Sequence, residues 1–206
     1  MEPKPIPDIV VGRLPLYLRA LQRMAQQGRK VTSSQELGEW LGISAAQIRK
    51  DLSQFGEFGK QGTGYNIEFL VENLRQILKV DRVWDVVIVG AGDIGSALAR
   101  YQGLSDRGYR ITMIFDSDPA KIGAQVGQFT ILDSATLVDS ISQAGVQVAM
   151  LAVPAPQAQQ AADELVKAGV KAILNYAPIN LTVPEGVWVQ YTDPVTHLQR
   201  MTYYLD

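Results

Sequence analysis

The sequence predicts an α/β chain: an N-terminal winged-helix domain over residues 1–80, a Rossmann-type parallel-sheet domain over 85–191, and a separate C-terminal helix over 193–206. Two signals predict this. Two helix starts, at Ser33 and Ser44, are separated by little more than Gly42 and lead to the glycine-rich segment Gly59–Gly64. An apolar run ending at Val89 then feeds Gly90-x-Gly92-x-x-Gly95, and strand-like and helix-like segments alternate from there on.

Apolar residues at helical spacing (Leu14, Leu18, Leu21, Met24) place a first helix between Asp8 and Gln27, its regular part beginning near Pro15, where a missing N–H costs nothing. Ser33 followed by Glu36 is a capping box, and the helix it opens runs through Leu37 and Leu41 to Gly42. Ser44 and Gln47 repeat that spacing and open a third helix with Ile48, Leu52 and Phe55 as its buried stripe. Two short helices so joined read as a helix-turn-helix. Ser44, Ala45 and Gln47 are small or polar, so the second helix can approach base edges, and Arg49, Lys50 and Ser53 stand beside that surface. An all-helical dimerisation module would share the turn. The segment Gly59–Asn66, with Lys60 between glycines and Phe58 and Tyr65 as flanks, argues instead for a β-wing. A helix from Ile67 to Lys79 closes the domain, and Asp81–Asp85 form a short bridge.

The run from Val86 is a buried strand entering a glycine loop and helix, the context that a GxGxxG motif needs. Gly90 permits the tight turn, Gly92 close approach to a pyrophosphate, and Gly95 helix–strand packing; Ala91, Asp93 and Ile94 complete the loop. Asp93 places a carboxylate where phosphates would sit. The strand Tyr109–Phe115 ends at Asp116, 21 residues after Gly95, placed to accept ribose hydroxyls and repel a 2′-phosphate. Ser117 follows in place of an arginine, so NAD(H) is favoured over NADP(H). A turn cap is the plainer role for Asp116. A helix capped by Asp133 or Ser134 runs to Ala144. Strands Gln147–Val153, Lys171–Tyr176 and Val187–Tyr191 follow, with a helix at Ala155–Ala168. Strand ends line the crevice of such folds, which makes Ala152-Val153-Pro154 and Asn175-Tyr176 candidates for the nicotinamide side. Asp193 and Pro194 open the last helix, to Leu205.

Composition narrows the function classes. At 47% apolar and 19% charged residues the chain is globular. No apolar run approaches the roughly 18–20 residues that span a bilayer, and the N-terminus lacks a signal-peptide core, so a cytoplasmic protein with no membrane partner is expected. With no cysteine and the single histidine His197, no metal site is expected. Residues 1–80 hold 11 Lys/Arg against 8 Asp/Glu and the remainder 8 against 13, so a basic first part (+3) precedes an acidic body (−5). Little chain remains after the last strand to build a substrate domain, and His197 alone is a poor basis for proton relay. The cofactor is therefore expected to be read rather than consumed, in a protein that is not an enzyme.

Ser34 through Leu37-Gly38, Gln47-Ile-Arg-Lys-Asp-Leu-Ser53, Gly59-x-x-Gly-x-Gly-Tyr65, the Gly90–Gly95 loop with Tyr101, and Asn175-Tyr-Ala-Pro178 together resemble the Rex family of redox-sensing repressors, in order and over nearly the whole chain. The resemblance implies a homodimer that exchanges its C-terminal helices, and binding to a palindromic double-stranded operator that NADH abolishes and NAD⁺ permits. It implies recognition-helix roles for Arg49 and Lys50 and a wing role for Lys60, although the family wing often carries an arginine where this chain has Gln61. Tyr101 and Asp193 match positions near the nicotinamide and the exchanged helix, where a redox-dependent hydrogen bond, with Arg19 as a third member, would link them. Two other readings stand beside this one: a small NAD-dependent oxidoreductase, and a regulator that binds coenzyme A.

Overall fold

The computed structural model describes residues 6–59 and 64–205, which fall into two compact units, Met1–Arg82 and Val83–Asp206. In the first, α1 (Asp8–Val11) leads to α2 (Leu14–Gln26), with Pro15 in its opening turn. β1 (Val31–Thr32) precedes α3 (Ser34–Leu41). Ser33 Oγ accepts the Glu36 N–H at 3.1 Å while Glu36 Oε2 accepts the Ser33 N–H at 3.0 Å, the reciprocal capping box expected from the spacing. Gly42 ends α3 in the left-handed conformation (φ 68°). α4 (Ala45–Leu52) starts at once, and Gly38 lets its entry pass close, because a methyl there would meet the Ile43 carbonyl.

Two local expectations need correcting. The Ser44 cap is only half a box: Ser44 Oγ accepts the Gln47 N–H, but the Gln47 side chain turns along the helix and donates to Asp51 Oδ1 at 2.7 Å. Phe55 lies past the end of α4 in a turn and is half-buried, so Ile48 and Leu52 are the buried apolar residues of that helix. The strand at the wing, β2 (Tyr65–Asn66), pairs antiparallel with β1, where Gly64 turns the chain against Thr32. The wing tip, with Lys60, lies outside the described residues. α5 (Ile67–Ile77) follows, two residues shorter than the pattern suggested.

α4 is fixed to the rest of its unit by a buried carboxylate. Asp51 is fully buried, and it accepts bonds from Arg13 Nε (2.6 Å), Arg13 Nη2 (2.8 Å) and the buried Tyr17 hydroxyl (2.6 Å). Burial alone would raise its pKa, but the donors of Arg13, Tyr17 and Gln47 outweigh that and hold it below the usual 3.8.

The second unit is a twisted sheet built from β3 (Trp84–Val89), β4 (Tyr109–Asp116), β5 (Gln125–Val126), β6 (Phe129–Asp133), β7 (Val148–Leu151), β8 (Ala172–Asn175) and β9 (Trp188–Tyr191), in the order β5-β6-β4-β3-β7-β8-β9. All neighbours are parallel except β5 and β6. The bridge expected at 81–85 is shorter, since Trp84 and Asp85 already belong to β3. The β5–β6 hairpin was not foreseen; it turns at Gly127 (φ 60°) and supplies the third strand of the parallel set. Connections run through α6 (Asp93–Arg100), α7 (Leu137–Ala144) and α8 (Ala155–Lys167), with α9 (Pro194–Thr202) after β9.

β3 is apolar at successive positions because both its faces are covered. Val87 and Val89 pack with Leu137, Ile141, Ala158 and Leu165 of α7 and α8; Val86 and Ile88 pack with Ala99 of α6 and Ile114 of β4. Further along the α6 face the cover ends, leaving a hollow of about 390 Å³ bounded by Met150, Leu174 and the exposed Trp188.

Arg13→Ala should cost the first unit about 3 kcal/mol, read by urea unfolding, because it strips the charged partner from a buried carboxylate. Since the folded-state pKa of Asp51 is depressed, its contribution is complete above the unfolded value. It is lost as pH falls through the folded one, so an acid loss of stability should begin only below about pH 4 and be smaller in Asp51→Asn.

Candidate functional site

The parallel order around β3 reverses direction between β4 and β7, and a cleft opens outside the carboxyl ends of those strands. Its volume, about 790 Å³, lies within the range of small-molecule sites. Of the residues expected there, Gly90, Gly92, Asp93, Ile94, Asp116, Ser117, Ala152, Val153, Pro154 and Tyr176 line it.

The three loop glycines answer to different constraints. Gly90 (φ 99°) passes so near β7 that a methyl would stand 2.5 Å from the Ala152 carbonyl oxygen. A methyl on Gly95 would strike the Gly90 carbonyl. Around Gly92, by contrast, nothing lies within 4 Å of where a Cβ would sit, so the protein itself does not require glycine there. Gly92 is also the N-cap of α6 and offers no side chain to its first turn, which leaves that turn's N–H groups for an anion. Asp93 is exposed and sits in the same turn, where its charge suits the helix dipole but opposes an incoming phosphate.

Asp116, 8% exposed, binds the loop to β4. Its Oδ2 accepts the Ala91 N–H at 2.7 Å and Lys121 Nζ at 3.2 Å, and its Oδ1 accepts the Asp118 N–H at 2.9 Å. Burial pushes its pKa up, but the two backbone donors and Lys121 prevail and hold it below the usual 3.8. Ala91 is thus a scaffold residue whose N–H is already taken. Asn175 is likewise structural: 1% exposed, it donates to the Ala177 and Ile179 carbonyls and accepts the Ala177 N–H, shaping the loop that brings Tyr176 to the cleft. Tyr101 is elsewhere, half exposed at the far end of α6, roughly 12 Å along the helix from Asp93, in a separate hollow. The Asp193 carboxylate caps α9 through the Val195 N–H and the Thr196 hydroxyl.

In the first unit, Arg49 and Lys50 are exposed on α4, Ser44 is exposed before its start and Ser53 just past its end, and Ala45 and Gln47 are half-buried. Arg49 Nη1 donates to Ser34 Oγ at 2.9 Å, and both border a groove of about 970 Å³ between α3, α4 and the base of the wing. Two contributors escaped the sequence reading: Ser34, which aims Arg49, and Lys121, the cation beside Asp116. The first carried a signal as the residue after a cap; the second had none, because its role comes from the loop after β4 folding back.

A family model described as “Putative DNA-binding protein N-terminus” matches residues 5–53, and one described as “CoA binding domain” matches residues 81–179. Over 97% of its length the chain is 54% identical to the “Redox-sensing transcriptional repressor Rex” of Chloroflexus aggregans, covering 94% of that protein. The chain belongs to the Rex family. The Rex 1 repressor of Thermotoga maritima is 45% identical over 96% of the chain and 95% of its own length. A solved Rex-family repressor, RSP in complex with β-NAD⁺ and operator DNA, superposes with a TM-score of 0.93 at 38% identity over 98% of this chain and 93% of that one. RSP in complex with β-NADH gives 0.88 at 37%, over 96% and 92%.

The glycine geometry separates folding from binding in a Rex chain of this kind. Gly92→Ala should keep the wild-type thermal midpoint yet bind NADH about tenfold or more weakly, a loss of about 1.4 kcal/mol or more. Gly95→Ala should lower both, as read by thermal unfolding and nicotinamide fluorescence.

Proposed function

We propose that this chain is a DNA-binding transcriptional repressor that NADH releases from its operator and NAD⁺ does not, acting as a homodimer on a palindromic site. The observation that carries the reading is the pairing, in one chain, of a helix-turn-helix and a dinucleotide-type cleft. Its fold over almost the full length is that of a repressor solved with β-NAD⁺ and operator DNA. Gly90, Gly92, Asp93 and Ile94 with Asp116 and Ser117 would hold the pyrophosphate and adenosine ribose, with Ala152-Val153-Pro154 and Tyr176 at the nicotinamide. Ser44, Ala45, Gln47, Arg49, Lys50, Ser53 and Lys60 would face DNA. Of these, Gln47 is the least available, since it is bonded to Asp51.

NADH supplies a neutral nicotinamide ring where NAD⁺ supplies a cationic one. The apolar end of the cleft admits the neutral form at lower desolvation cost. A dimer geometry favoured by that form gains population, and the two recognition helices then no longer match the half-sites. In this reading the cofactor is sensed and not transformed, in keeping with relatives named as transcriptional repressors. Support for the dimer comes from the C-terminal helix. Val195, Leu198 and Met201 of α9 are 54–63% exposed, an apolar stripe unlike a finished surface, as is the uncovered sheet face beside Trp188. Among the described residues no helix is long and apolar enough to cross a membrane.

Titrating an operator duplex complex with NADH and separately with NAD⁺ tests the reading; release by NADH alone is expected. Coenzyme A is the informative control, because a family model described as “CoA binding domain” matches residues 81–179; release by coenzyme A but not by NADH would replace the cofactor. Arg49→Ala with Lys50→Ala should weaken operator binding and flatten its salt dependence by about two units of slope per protomer. Leu198→Asp with Met201→Asp should yield monomers in analytical ultracentrifugation, while the second unit keeps its fold.

A further inference from the structure

The adenosine end of the cleft holds one cation among acids. Lys121 is the only basic residue among the described lining residues, against Asp93, Asp116, Asp118 and Glu164. Its ammonium lies 3.2 Å from Asp116 Oδ2 and 3.9 Å from Asp118 Oδ2 and is 40% exposed, so it is paired yet able to move. We propose that Lys121 is a specificity-determining residue for the cofactor: Asp116 withholds it from a 2′-phosphate, so NADP(H) is refused by the Asp116–Lys121 pair and not by the carboxylate alone. The inference rests on the NAD(H) reading above.

The physical case follows from the partners of each group. Asp116 is nearly buried and already accepts two backbone N–H groups, so its charge is fixed in place. A 2′-phosphate, with a charge of about −2, would sit against that charge. The same phosphate would be a better partner for Lys121 than a carboxylate is, having more charge and more acceptor oxygens. While Asp116 is ionised the lysine stays with it, and the approach is repulsive. With that charge removed, Lys121 and Ser117, which both line the cleft, become available to a 2′-phosphate. The sequence rule that an acid after the second strand selects NAD(H) is here a property of an ion pair.

The test measures dissociation constants of NADH and NADPH for the full chain. Wild type should prefer NADH. Asp116→Asn should narrow that preference by about tenfold or more, the size of one charge-assisted bond gained or lost. Adding Lys121→Met should abolish the gain for NADPH and leave NADH almost unchanged from the single variant. If Asp116→Asn does not fold, Lys121→Met alone serves: it leaves Asp116 unpaired and should weaken NADPH more than NADH. Equal weakening of both dinucleotides by Lys121→Met, or a narrowing that survives it in the double variant, would overturn the proposal and make the lysine a loop brace. If wild type binds neither dinucleotide, the cofactor reading itself has failed.

Discussion

A carboxylate taken out of water must be met by donors, and each unit of this chain is arranged around one that is. In the second unit it is Asp116, whose two oxygens gather the Ala91 N–H of the glycine loop, the Asp118 N–H of the following turn and the Lys121 ammonium. Those bonds fix the loop to the end of the neighbouring strand, beside the Gly90 N–H bond to the Phe115 carbonyl. In the first unit it is Asp51, on the helix that carries Arg49 and Lys50. Arg13 and Tyr17, from the segment before it in the chain, orient that helix from behind, leaving its outer face exposed. In both units the buried charge sets position, and the exposed groups around it are the ones available to a partner.

The cleft follows from the same economy. Gly90 and Gly95 are glycine because the backbones of the loop, of β7 and of the helix start crowd one another. Gly92 is glycine with no crowding at all, and that contrast is the strongest sign in the second unit that something outside the chain approaches there. α6 begins without a side-chain cap, so its first N–H groups look outward as donors for an anion. Asp93, Asp118 and Glu164 stand with Lys121 in the lining of the same cleft.

Much of this was legible beforehand, and the misses share a cause. Helix starts were found because a cap is a local device: Ser33 with Glu36 needs four residues and no others. The buried strand at Val86–Val89 was found because two covered faces leave no polar position. The β5–β6 hairpin was missed because its strands are short and half-exposed, so neither alternation nor a continuous apolar run marks them. The pairing of Tyr65–Asn66 with Val31–Thr32 was not foreseen for a related reason: it joins segments distant in the chain, and register of that kind is not written in either segment alone.

By itself the sequence determined the two-part architecture, the helix-turn-helix, the glycine loop with its downstream acid, and the family, since each rests on short-range spacing or on ordered motifs. Only the tertiary structure decided what those residues do. It showed the Ala91 N–H and the Asn175 side chain bonded within the chain, Tyr101 at the other end of α6 from the cleft, Gln47 bonded inward, and Lys121 beside Asp116. The physical reason is that a side chain's role depends on which donors and acceptors reach it. For groups 25 or 38 residues apart, as Ala91 is from Asp116 and Arg13 from Asp51, that is settled by folding and not by spacing.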